Sequence, residues 1–450
     1  MDPVPDGGPA LPDAAGPDAP PAVAPPPRRA ALAFVYVTVV LDVLAFGIII
    51  PTLPPLVVGF AGATASGAEI YGLFAAAWAL MQFLFSPVLG ALSDRFGRRP
   101  VLILSALGLG LDYVFMALAP SLAWLFVGRV ISGITAASFP TAGAYIADVT
   151  PPEGRARAFG KMGAAWGVGF IMGPALGGLL GGISLRLPFW AAASLSLASA
   201  VYGFALLPES LPKERRSAFS WRKANPLGSL KLLRSHPELT GLASVSFLNF
   251  LAFQVLPSTY VIYAGYRFGW GATMVGLAMT LVGVCNIIVQ GGLTGPVIAR
   301  LGERRTLLMG LLFGSLAFIV FGLAPTPVTF LAAIVLYAPI GLAGPSLQAL
   351  MSRRVSPYEQ GKLQGANSSI MALTGVVGPG IFTFTFAAFI GPRAPITGLS
   401  GAPFLVASGL MLVAWLVALR VVRGRPEPLA PPATPGTPSF AQAAPPEEAA

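Results

Sequence analysis

Charged residues are scarce in this sequence of 450 residues. Asp, Glu, Lys and Arg together make up only 10% of it, whereas 55% of the residues are hydrophobic. Soluble domains usually contain about 25% charged residues, so this composition excludes a soluble globular protein. A helix needs about 20 mainly apolar residues to cross a bilayer, and the sequence contains many such runs separated by short polar breaks. The sequence therefore predicts an α-helical protein of the lipid bilayer.

Reactive side chains and nucleotide motifs are also nearly absent. Cys285 is the only cysteine and lies within an apolar run, which excludes an intramolecular disulfide and a cysteine-based metal site. His236 is the only histidine, and its place beside an apolar run is more typical of the membrane surface than of a proton carrier. No GxxxxGK[ST] sequence is present, so nothing supports ATP-driven work. We expect neither a metal nor a cofactor.

The net charge of +10 does not come from a separate basic domain. Basic residues follow the ends of apolar runs, a pattern that membrane topology explains better than nucleic-acid binding does. All but four of the 28 Lys and Arg residues lie before the first run, in the loops after even-numbered runs or the run ends beside them, or at or after the end of the last run; the exceptions are Arg129, Arg186, Arg267 and Arg393. Because positive residues near helix ends resist translocation, we predict a multi-pass inner-membrane protein with both termini in the cytoplasm.

Apolar runs predict twelve membrane spans in two sets of six. The predicted spans cover residues 30–57, 70–92, 100–119, 122–146, 158–182 and 188–207, and then 238–262, 272–298, 305–324, 328–350, 363–390 and 402–422. This pattern predicts a first bundle over 30–208, a cytoplasmic linker over 209–237 and a second bundle over 238–423. The flanking segments 1–29 and 424–450 are rich in Pro and Ala, so we expect disordered cytoplasmic tails.

The two sets of spans are related by an internal repeat with an offset of 205 residues. Gly90, Arg95 and Gly97 correspond to residues 295, 300 and 302, which are again Gly, Arg and Gly. The pair Gly173 and Pro174 recurs as Gly-Pro at 378 and 379. Parallel repeats of six helices allow two bundles to rock about a central site. The duplication therefore favours a transporter that works by alternating access over a pore or a receptor.

The loop between the second and third runs, GALSDRFGRRP, is a candidate gating loop. Gly90 permits close helix approach, and Asp94 can pair with a cation or cap a helix across the bundle interface. The loop also contains Arg95, Gly97 and Arg98. A merely positive-inside loop is the alternative interpretation. The corresponding loop of the second half has Ala299 in place of the acid.

Ionisable residues inside the apolar runs are costly to bury, so each is a functional candidate. Asp42 lies in the first span, Asp112 in the third and Arg129 in the fourth. The proton affinity of a buried carboxylate depends on its hydration and on nearby cations, so these groups could couple protons to transport. A fixed ion pair that only joins helices is the alternative. Asp148, at the end of the fourth span, is better suited to a cap or gate.

The fifth span is rich in small residues. Gly169, Gly173, Gly177 and Gly181 recur every four residues, with Pro174 and Gly178 among them. Such a face permits close backbone packing, and the proline allows the helix to bend. Generic helix packing is the alternative interpretation.

Polar or aromatic residues near the middle of other spans are candidates for a substrate pocket. They are Gln82, Phe83, Asn249, Phe253, Gln254, Asn286, Gln290 and Gln348. An apolar cavity with scattered hydrogen-bonding groups suits an amphipathic small molecule better than a sugar or a phosphate. For any one of these residues, a hydrogen bond between helices is an equally good interpretation.

Several segments together resemble the major facilitator superfamily, and within it the tetracycline/proton antiporter branch. The most specific are LDVLAFGIIIPTLPPL, ALMQFLFSPVLGALSDRFGRRPVL, LDYVFMALAP, GRVISGITAASFPTAGAYIADVTPPEGRARAFG, GPALGGLLGGIS, TGPVIARLGERR and PSLQALMSRRVSPYEQGKLQG. The resemblance covers residues 30–422 and implies an all-α membrane fold of twelve transmembrane helices. It also implies transport roles for Asp42, Asp94, Asp112 and Arg129, and it identifies the glycine and proline pattern of the fifth span as an antiporter motif.

The sequence departs from that branch at two positions in its second half. Asn286 stands where family members carry a histidine, and Gly314 stands where they carry an aspartate. The resemblance implies export of small hydrophobic or amphipathic compounds, with tetracycline as one possibility, in exchange for protons. We expect the protein to act as a monomer. Uptake of a metabolite by proton symport remains an alternative. A membrane enzyme or receptor is a third reading, for which the sequence offers no cluster of His, Cys or carboxylate groups.

Overall fold

The computed structural model describes residues 28–136, 138–219, 237–355, 360–392 and 394–421, and the regular structure in these ranges is helical. The α-helices are Arg28–Ile49, Leu53–Ala61, Thr64–Phe96, Arg98–Ala117, Leu122–Thr135, Ser138–Val149, Pro152–Ile183, Leu187–Leu206, Pro237–Phe253, Val255–Phe268, Ala272–Ile287, Thr294–Leu323, Pro327–Tyr337, Ala343–Ser352, Gln360–Ile390 and Ala402–Val421. A π-helix covers Ile288–Leu293, and 3₁₀ turns cover Lys213–Arg215 and Ala338–Leu342. Most of the predicted tails, and residues 220–236 of the predicted linker, lie outside the described residues.

These helices form the twelve membrane spans of the predicted all-α fold. Eleven helical stretches are long and apolar enough to cross a membrane, and one of them, Ala272–Leu323, has 52 residues. At about 1.5 Å per residue, 52 helical residues greatly exceed the roughly 30 Å of bilayer hydrocarbon. Gly302 breaks this stretch with a φ of 76°, so the stretch supplies both the eighth and the ninth spans. The prediction of twelve spans is confirmed.

Several spans consist of two helices joined by a short break, which the hydrophobic pattern does not predict. The first span is interrupted at residues 50–52, next to Pro51, and the tenth at the 3₁₀ turn that contains Pro339. The seventh span breaks at Gln254, three residues before Pro257. Proline lacks a backbone donor and crowds the preceding turn, so these breaks have a local steric cause.

The two ends of the bundle differ in charge. The basic end carries the loops around Arg98, Arg155, Arg304 and Arg353, and the distal end carries the links at residues 62–63 and 118–121. Within the first half, the first span packs against the fifth and sixth, the third against the sixth, and the second against the fourth. Within the second half, the twelfth span packs against the seventh and ninth.

The halves meet along a distal seam, formed where the second span packs against the eleventh and the fifth against the eighth. The Tyr71 hydroxyl donates a hydrogen bond of 3.1 Å to the carbonyl oxygen of Pro257. The Thr273 hydroxyl donates one of 3.0 Å to the carbonyl oxygen of Gly178. Both bonds cross from one half to the other, and both lie in the distal part of the spans.

The halves stand apart at the basic end. A Cβ atom added to Gly90, Gly163 or Gly291 would meet no atom of the described residues within 4 Å, although these positions lie on the second, fifth and eighth spans. The same spans are in close contact nearer the distal end. The molecule is therefore closed distally and open at the basic end.

The second half contains a buried cluster of aromatic rings near the distal end. Adjacent rings lie 4.9–6.4 Å apart between centroids. The cluster comprises Tyr260, Tyr263, Phe321, Phe330 and Phe404, each no more than 3% exposed. Contacts of this kind add to the stability that apolar burial provides.

Candidate functional site

A cavity of about 620 Å³ lies between the middle of the spans and the basic end. Its walls come from the first five spans and from the basic part of the eleventh. The polar and aromatic side chains that line it include Thr38, Asp42, Phe46, Trp78, Gln82, Phe83, Ser86, Tyr113, Arg129, Ser132, Trp166, Ser368 and Ser369. Its volume and its mainly apolar wall with a few polar groups match sites that bind small amphipathic molecules.

Asp112 and Arg129 are buried close together between the third and fourth spans. Asp112 is 2% exposed and Arg129 is 9% exposed, and the two side chains interact electrostatically. Within the described residues, neither carboxylate oxygen of Asp112 accepts a hydrogen bond, and Nε of Arg129 donates none. Gly128 lies directly against Asp112. A Cβ atom added to this glycine would lie only 3.2 Å from Oδ1 of Asp112, so the lack of a side chain at 128 provides space for the carboxylate. A buried charge without hydrogen bonds is costly, so this environment is sensitive to the protonation of Asp112.

An aromatic shelf, defined as Phe46 and Trp78, forms the wall beside Arg129. The two rings are stacked with centroids 5.6 Å apart and an interplanar angle of 20°. The guanidinium of Arg129 lies 5.2 Å from the Trp78 centroid, within the range of a cation–π contact. Sequence reasoning did not select the shelf. Aromatic residues at mid-span were visible, but the sequence does not separate cavity-facing rings from lipid-facing ones such as Trp190, which is 42% exposed.

Asp42 lies on the same wall of the cavity. Its Oδ1 accepts a hydrogen bond of 3.3 Å from the hydroxyl of Ser199 on the sixth span. The Tyr113 phenol interacts electrostatically with Asp42, Asp112 and Arg129. The structure therefore brings together the three ionisable residues that the sequence placed on separate spans, with a tyrosine among them.

The predicted pocket residues of the two halves differ in position. Gln82 and Phe83 line the cavity, but Phe253, Gln254, Asn286 and Gln290 are not among its lining residues. A Cβ added to Gly375 would lie 3.2 Å from Nε2 of Gln254, so this amide packs against the eleventh span. Gln290 donates a hydrogen bond of 2.9 Å to Oδ1 of Asn286, one helical turn away. These polar groups make contacts with protein neighbours.

The two departures from the family pattern lie in different surroundings. Asn286 is exposed and lies beside Gly341 of the tenth span. A Cβ atom added to Gly341 would be 3.4 Å from Oδ1 of Asn286. Gly314 packs against Ile340, since a Cβ added at 314 would lie 2.9 Å from the Ile340 Cδ1 atom. The space at Gly314 is thus filled by apolar atoms.

The loop at residues 94–99 is built around Arg98. Its Nη1 lies 2.5 Å from Oδ1 of Asp94, and its Nε lies 3.1 Å from Oδ2 of Asp148. The backbone N–H of Arg98 donates a hydrogen bond of 2.8 Å to Oε1 of Glu209, at the start of the linker. Gly97 has a φ of 108°, and a Cβ added there would overlap the Glu209 carboxylate. The loop is therefore fixed to the fourth span and to the linker.

The other predicted gating residues make no hydrogen bond or ion pair with the described residues of the second half. The guanidinium of Arg95 lies 5.1 Å from the ring centroid of Phe96, its neighbour in the chain. Gly90 has open space beside it. The expected contact of Asp94 across the bundle interface is replaced by its pairing with Arg98, because the halves are separated at the basic end.

The glycines of the fifth span form two packed faces rather than one. Gly169, Gly173 and Gly177 lie against the backbone of the first span, and a Cβ at Gly177 would overlap the carbonyl oxygen of Ile48. Gly178 faces the eighth span instead, where a Cβ would lie 2.9 Å from Cα of Gly276. The carbonyl oxygen of Pro174 also faces Gly276. One face therefore packs within the first half and the other lies in the distal seam.

Twelve spans in two six-helix bundles, with a central cavity reached from one end, define a polytopic membrane transporter. The chain belongs to the Major Facilitator Superfamily, whose family model matches residues 35–379 and 242–446. It is related to proteins that confer tetracycline resistance. The class C tetracycline resistance protein of Escherichia coli is 41% identical over 390 residues, which cover 87% of this chain and 96% of that protein. The class G protein of Vibrio anguillarum is 41% identical over 78% of this chain and 89% of its own length.

Solved structures show the same fold. The human organic anion transporter MFSD10 (TETRAN) has a TM-score of 0.65 and 26% sequence identity, with coverage of 88% of this chain and 100% of that one. The nucleoside transporter NupG has a TM-score of 0.72 and 15% identity over 88% of this chain and 100% of its own, a similarity that concerns the fold alone.

Proposed function

We propose that this protein exports small hydrophobic or amphipathic compounds in exchange for protons by alternating access. The observation that carries the proposal is the cavity open at the basic end, with Asp42 and Arg129 in its wall and Asp112 buried behind it. A substrate pocket and proton-binding groups on the same wall allow occupation of one to affect the other. We further propose that its partners are small molecules and protons and that it acts as a monomer in the bilayer.

The proposed cycle uses the two carboxylates of the first half as proton carriers. Asp112 and Asp42 bind protons in the distal-open state and release them into the cavity when it opens at the basic end. Substrate then occupies the cavity, and the halves rock about it to the distal-open state. The spans of the second half carry no acidic residue between residues 239 and 421 apart from Glu303, at the basic end, and Glu359. The mechanism therefore depends on the first half for its acids.

The substrate class follows from the cavity wall. The aromatic shelf offers a flat apolar surface, and Arg129, Gln82 and Tyr113 offer hydrogen-bonding or charged groups close to it. This combination suits a molecule with fused or conjugated rings and polar oxygen substituents. The relatives named for tetracycline resistance support tetracycline or a compound of similar chemistry as the substrate.

We also propose that the basic end faces the cytoplasm, because basic residues concentrate on the side that is not translocated. A cysteine at Lys213, in an otherwise cysteine-free Cys285→Ala protein, tests this orientation in intact cells. It should react with a membrane-impermeant maleimide only after the inner membrane is permeabilised. Reaction in intact spheroplasts would invert the topology and with it the direction of transport.

Uptake into everted membrane vesicles tests the transport mechanism. Vesicles that contain the wild-type protein should accumulate tetracycline or another member of a drug panel under a proton gradient, and collapse of the gradient should abolish this accumulation. Asp42→Asn and Asp112→Asn should abolish it too, whereas Glu69→Gln, which alters an exposed acid at the distal end, should not. Accumulation that survives in both Asn variants would reject these acids as the coupling groups. Accumulation only in right-side-out vesicles would support symport.

A further inference from the structure

Tyr71 takes part both in the distal seam and in the electrostatic group around the buried charges. Tyr71 lies on the second span and is 9% exposed. Its hydroxyl donates to the carbonyl oxygen of Pro257 in the second half, and its phenol also interacts electrostatically with Arg129 in the first half. Arg129 in turn interacts with Asp112. Electrostatic interactions therefore link the acid, through Arg129, to a side chain that makes a hydrogen bond between the halves.

The second bond across the seam lacks such a link. The Thr273 hydroxyl donates to the carbonyl oxygen of Gly178, and the residues around it are the small and apolar ones of the fifth and eighth spans. The two bonds are alike in length and both join the halves, but of the two donors Tyr71 is the one that interacts electrostatically with a charged group among the described residues. A substitution of Thr273 therefore serves as the control for a substitution of Tyr71, since it removes a similar hydrogen bond across the seam.

We propose that Tyr71 is a positioning residue that transmits the protonation state of Asp112, through Arg129, to the distal seam. The inference rests on the proposed proton-coupled function and assigns a residue to its conformational step. With Asp112 protonated, Arg129 is free to donate to the phenol oxygen of Tyr71, and the seam stays closed. With Asp112 ionised, the guanidinium is drawn to the carboxylate, and Tyr71 loses that donor.

The chemistry of a phenol permits this double role. A tyrosine hydroxyl can accept one hydrogen bond while it donates another, and an accepted bond from a cation strengthens the bond that the hydroxyl donates. The bond to Pro257 is therefore strongest when Arg129 turns towards Tyr71. In the structure, which is closed distally, no described residue donates a hydrogen bond to the Asp112 carboxylate. Asp112 therefore does not hold Arg129 by a hydrogen bond in this conformation, and the bond from Arg129 to Tyr71 belongs to the proposal.

The other titratable groups near this chain of contacts are few. Tyr113 of the third span and Asp42 of the first belong to the same electrostatic group. On the second span itself, Glu69 is exposed and lines a small distal cavity with the end of the eleventh span. Between residues 363 and 390 the eleventh span has no ionisable side chain.

The titratable side chains of the seventh span make their contacts within the second half. The rings of Tyr260 and Tyr263 pack into the aromatic cluster of the second half, and the ring of Tyr266 packs on Phe386. Arg267 interacts with Tyr263. Among the described residues, Arg129 is the group that interacts electrostatically with Tyr71, and none of these side chains of the seventh span does.

The test uses a cysteine buried in the distal seam. Thr383 is 0% exposed and lies against Gly72, so Thr383→Cys in a Cys285→Ala background should react with a maleimide only when the seam opens. Labelling rates are measured from pH 5.5 to 8.5 in the full-length protein in liposomes. Each rate is divided by that of the same protein denatured at the same pH, which removes the effect of thiol ionisation.

We expect the corrected rate of this parent protein to rise with pH, and Asp112→Asn to remain slow at every pH. Tyr71→Phe should be faster at low pH, by about fivefold for one lost hydrogen bond, and should no longer respond to pH. Thr273→Val should be faster by a similar factor but should retain the pH response.

A Tyr71→Phe protein that keeps the pH response as Thr273→Val does would overturn the inference and leave the proposed function intact. A parent protein without a pH response would overturn both.

Discussion

At the level of single residues, the indole of Trp78 connects the apolar and the charged parts of the cavity. It is stacked on Phe46 and lies within cation–π distance of Arg129. Its backbone is fixed by close packing, because a Cβ added to Gly133 of the fourth span would be 2.7 Å from the carbonyl oxygen of Trp78. A flat substrate that stacks on the shelf therefore lies next to the charge that couples to Asp112.

Trp78→Leu should weaken binding of an aromatic substrate by up to about tenfold, because an aromatic contact contributes about 0.5–1.5 kcal/mol beyond apolar burial. The dissociation constant for tetracycline, measured by calorimetry on detergent-purified protein, checks this. Trp190→Leu removes the same side chain from a position outside the cavity lining and should leave the constant unchanged. Equal effects of both substitutions would show that the shelf does not contact the substrate.

Gly97 and Gly302 occupy repeat-related positions, with φ of 108° and 76° and with ψ near 160° at both. This backbone region is nearly restricted to glycine, so alanine at either position should cost about 1–3 kcal/mol. Gly97→Ala must in addition displace Glu209, whereas the space at Gly302 is open. We expect Gly97→Ala to lower the thermal unfolding temperature further than Gly302→Ala does. Equal losses would mean that the Glu209 contact adds nothing to stability.

At the level of elements, the proposed cycle gives different roles to the glycines on the two packed faces of the fifth span. Gly177 packs on the first span within the same half, and that contact persists while the half moves as a body. Gly178 packs on the eighth span in the distal seam, where the contact must break when the distal side opens. Adjacent positions therefore have different consequences.

Gly178→Ala should shift the protein towards the distal-open state without a large loss of stability, whereas Gly177→Ala should destabilise every state. Overpacking of this kind typically costs about 1–3 kcal/mol. Gly167→Ala, on the same helix with no neighbour within 4 Å, serves as the control. Maleimide labelling of the Thr383→Cys probe should rise in Gly178→Ala alone, and the thermal unfolding temperature should fall most in Gly177→Ala. A rise in labelling in Gly177→Ala of the same size would contradict the assignment of the two faces.

The spans were predictable from the sequence because hydrophobic length is a local property, and twelve apolar runs reappear as twelve spans. The direction in which a side chain points is set by tertiary packing. Gln82 and Phe83 face the cavity, but Gln254 packs on the eleventh span and Asn286 bonds to Gln290, although all four looked equivalent in the sequence. The convergence of Asp42, Asp112 and Arg129 was inferable from the cost of burying charge in a membrane.

At the level of the whole molecule, the two halves share a fold but differ in the chemistry of their interiors. The buried ionisable groups of the cavity lie in the first half, while the second half has an apolar core with an aromatic cluster. An interior of packed rings resists local rearrangement. The second half is thus suited to move as a rigid body against which the charged half changes its contacts along the distal seam.

A disulfide across the distal seam should hold the molecule in the conformation described. A Cβ added to Gly375 on the eleventh span would lie 3.5 Å from the Cβ of Ala79 on the second, a separation that suits a disulfide. Ala79→Cys with Gly375→Cys, in the Cys285→Ala background, should therefore cross-link on mild oxidation. Since the bond joins the halves where they must separate, oxidation should stop transport in everted vesicles, and reduction should restore it.

The cross-linked protein should still bind substrate from the basic end, because the bond does not close the cavity. Gly108→Cys with Thr135→Cys places a pair at 3.4 Å within the first half and serves as the matched control, since oxidation there should leave transport intact. Binding measured with tetracycline on the oxidised Ala79/Gly375 protein separates a conformational arrest from damage to the site. If the oxidised protein continues to transport at the rate of its reduced form, the distal seam does not open during the cycle. The proposal that the halves rock about the cavity would then be wrong.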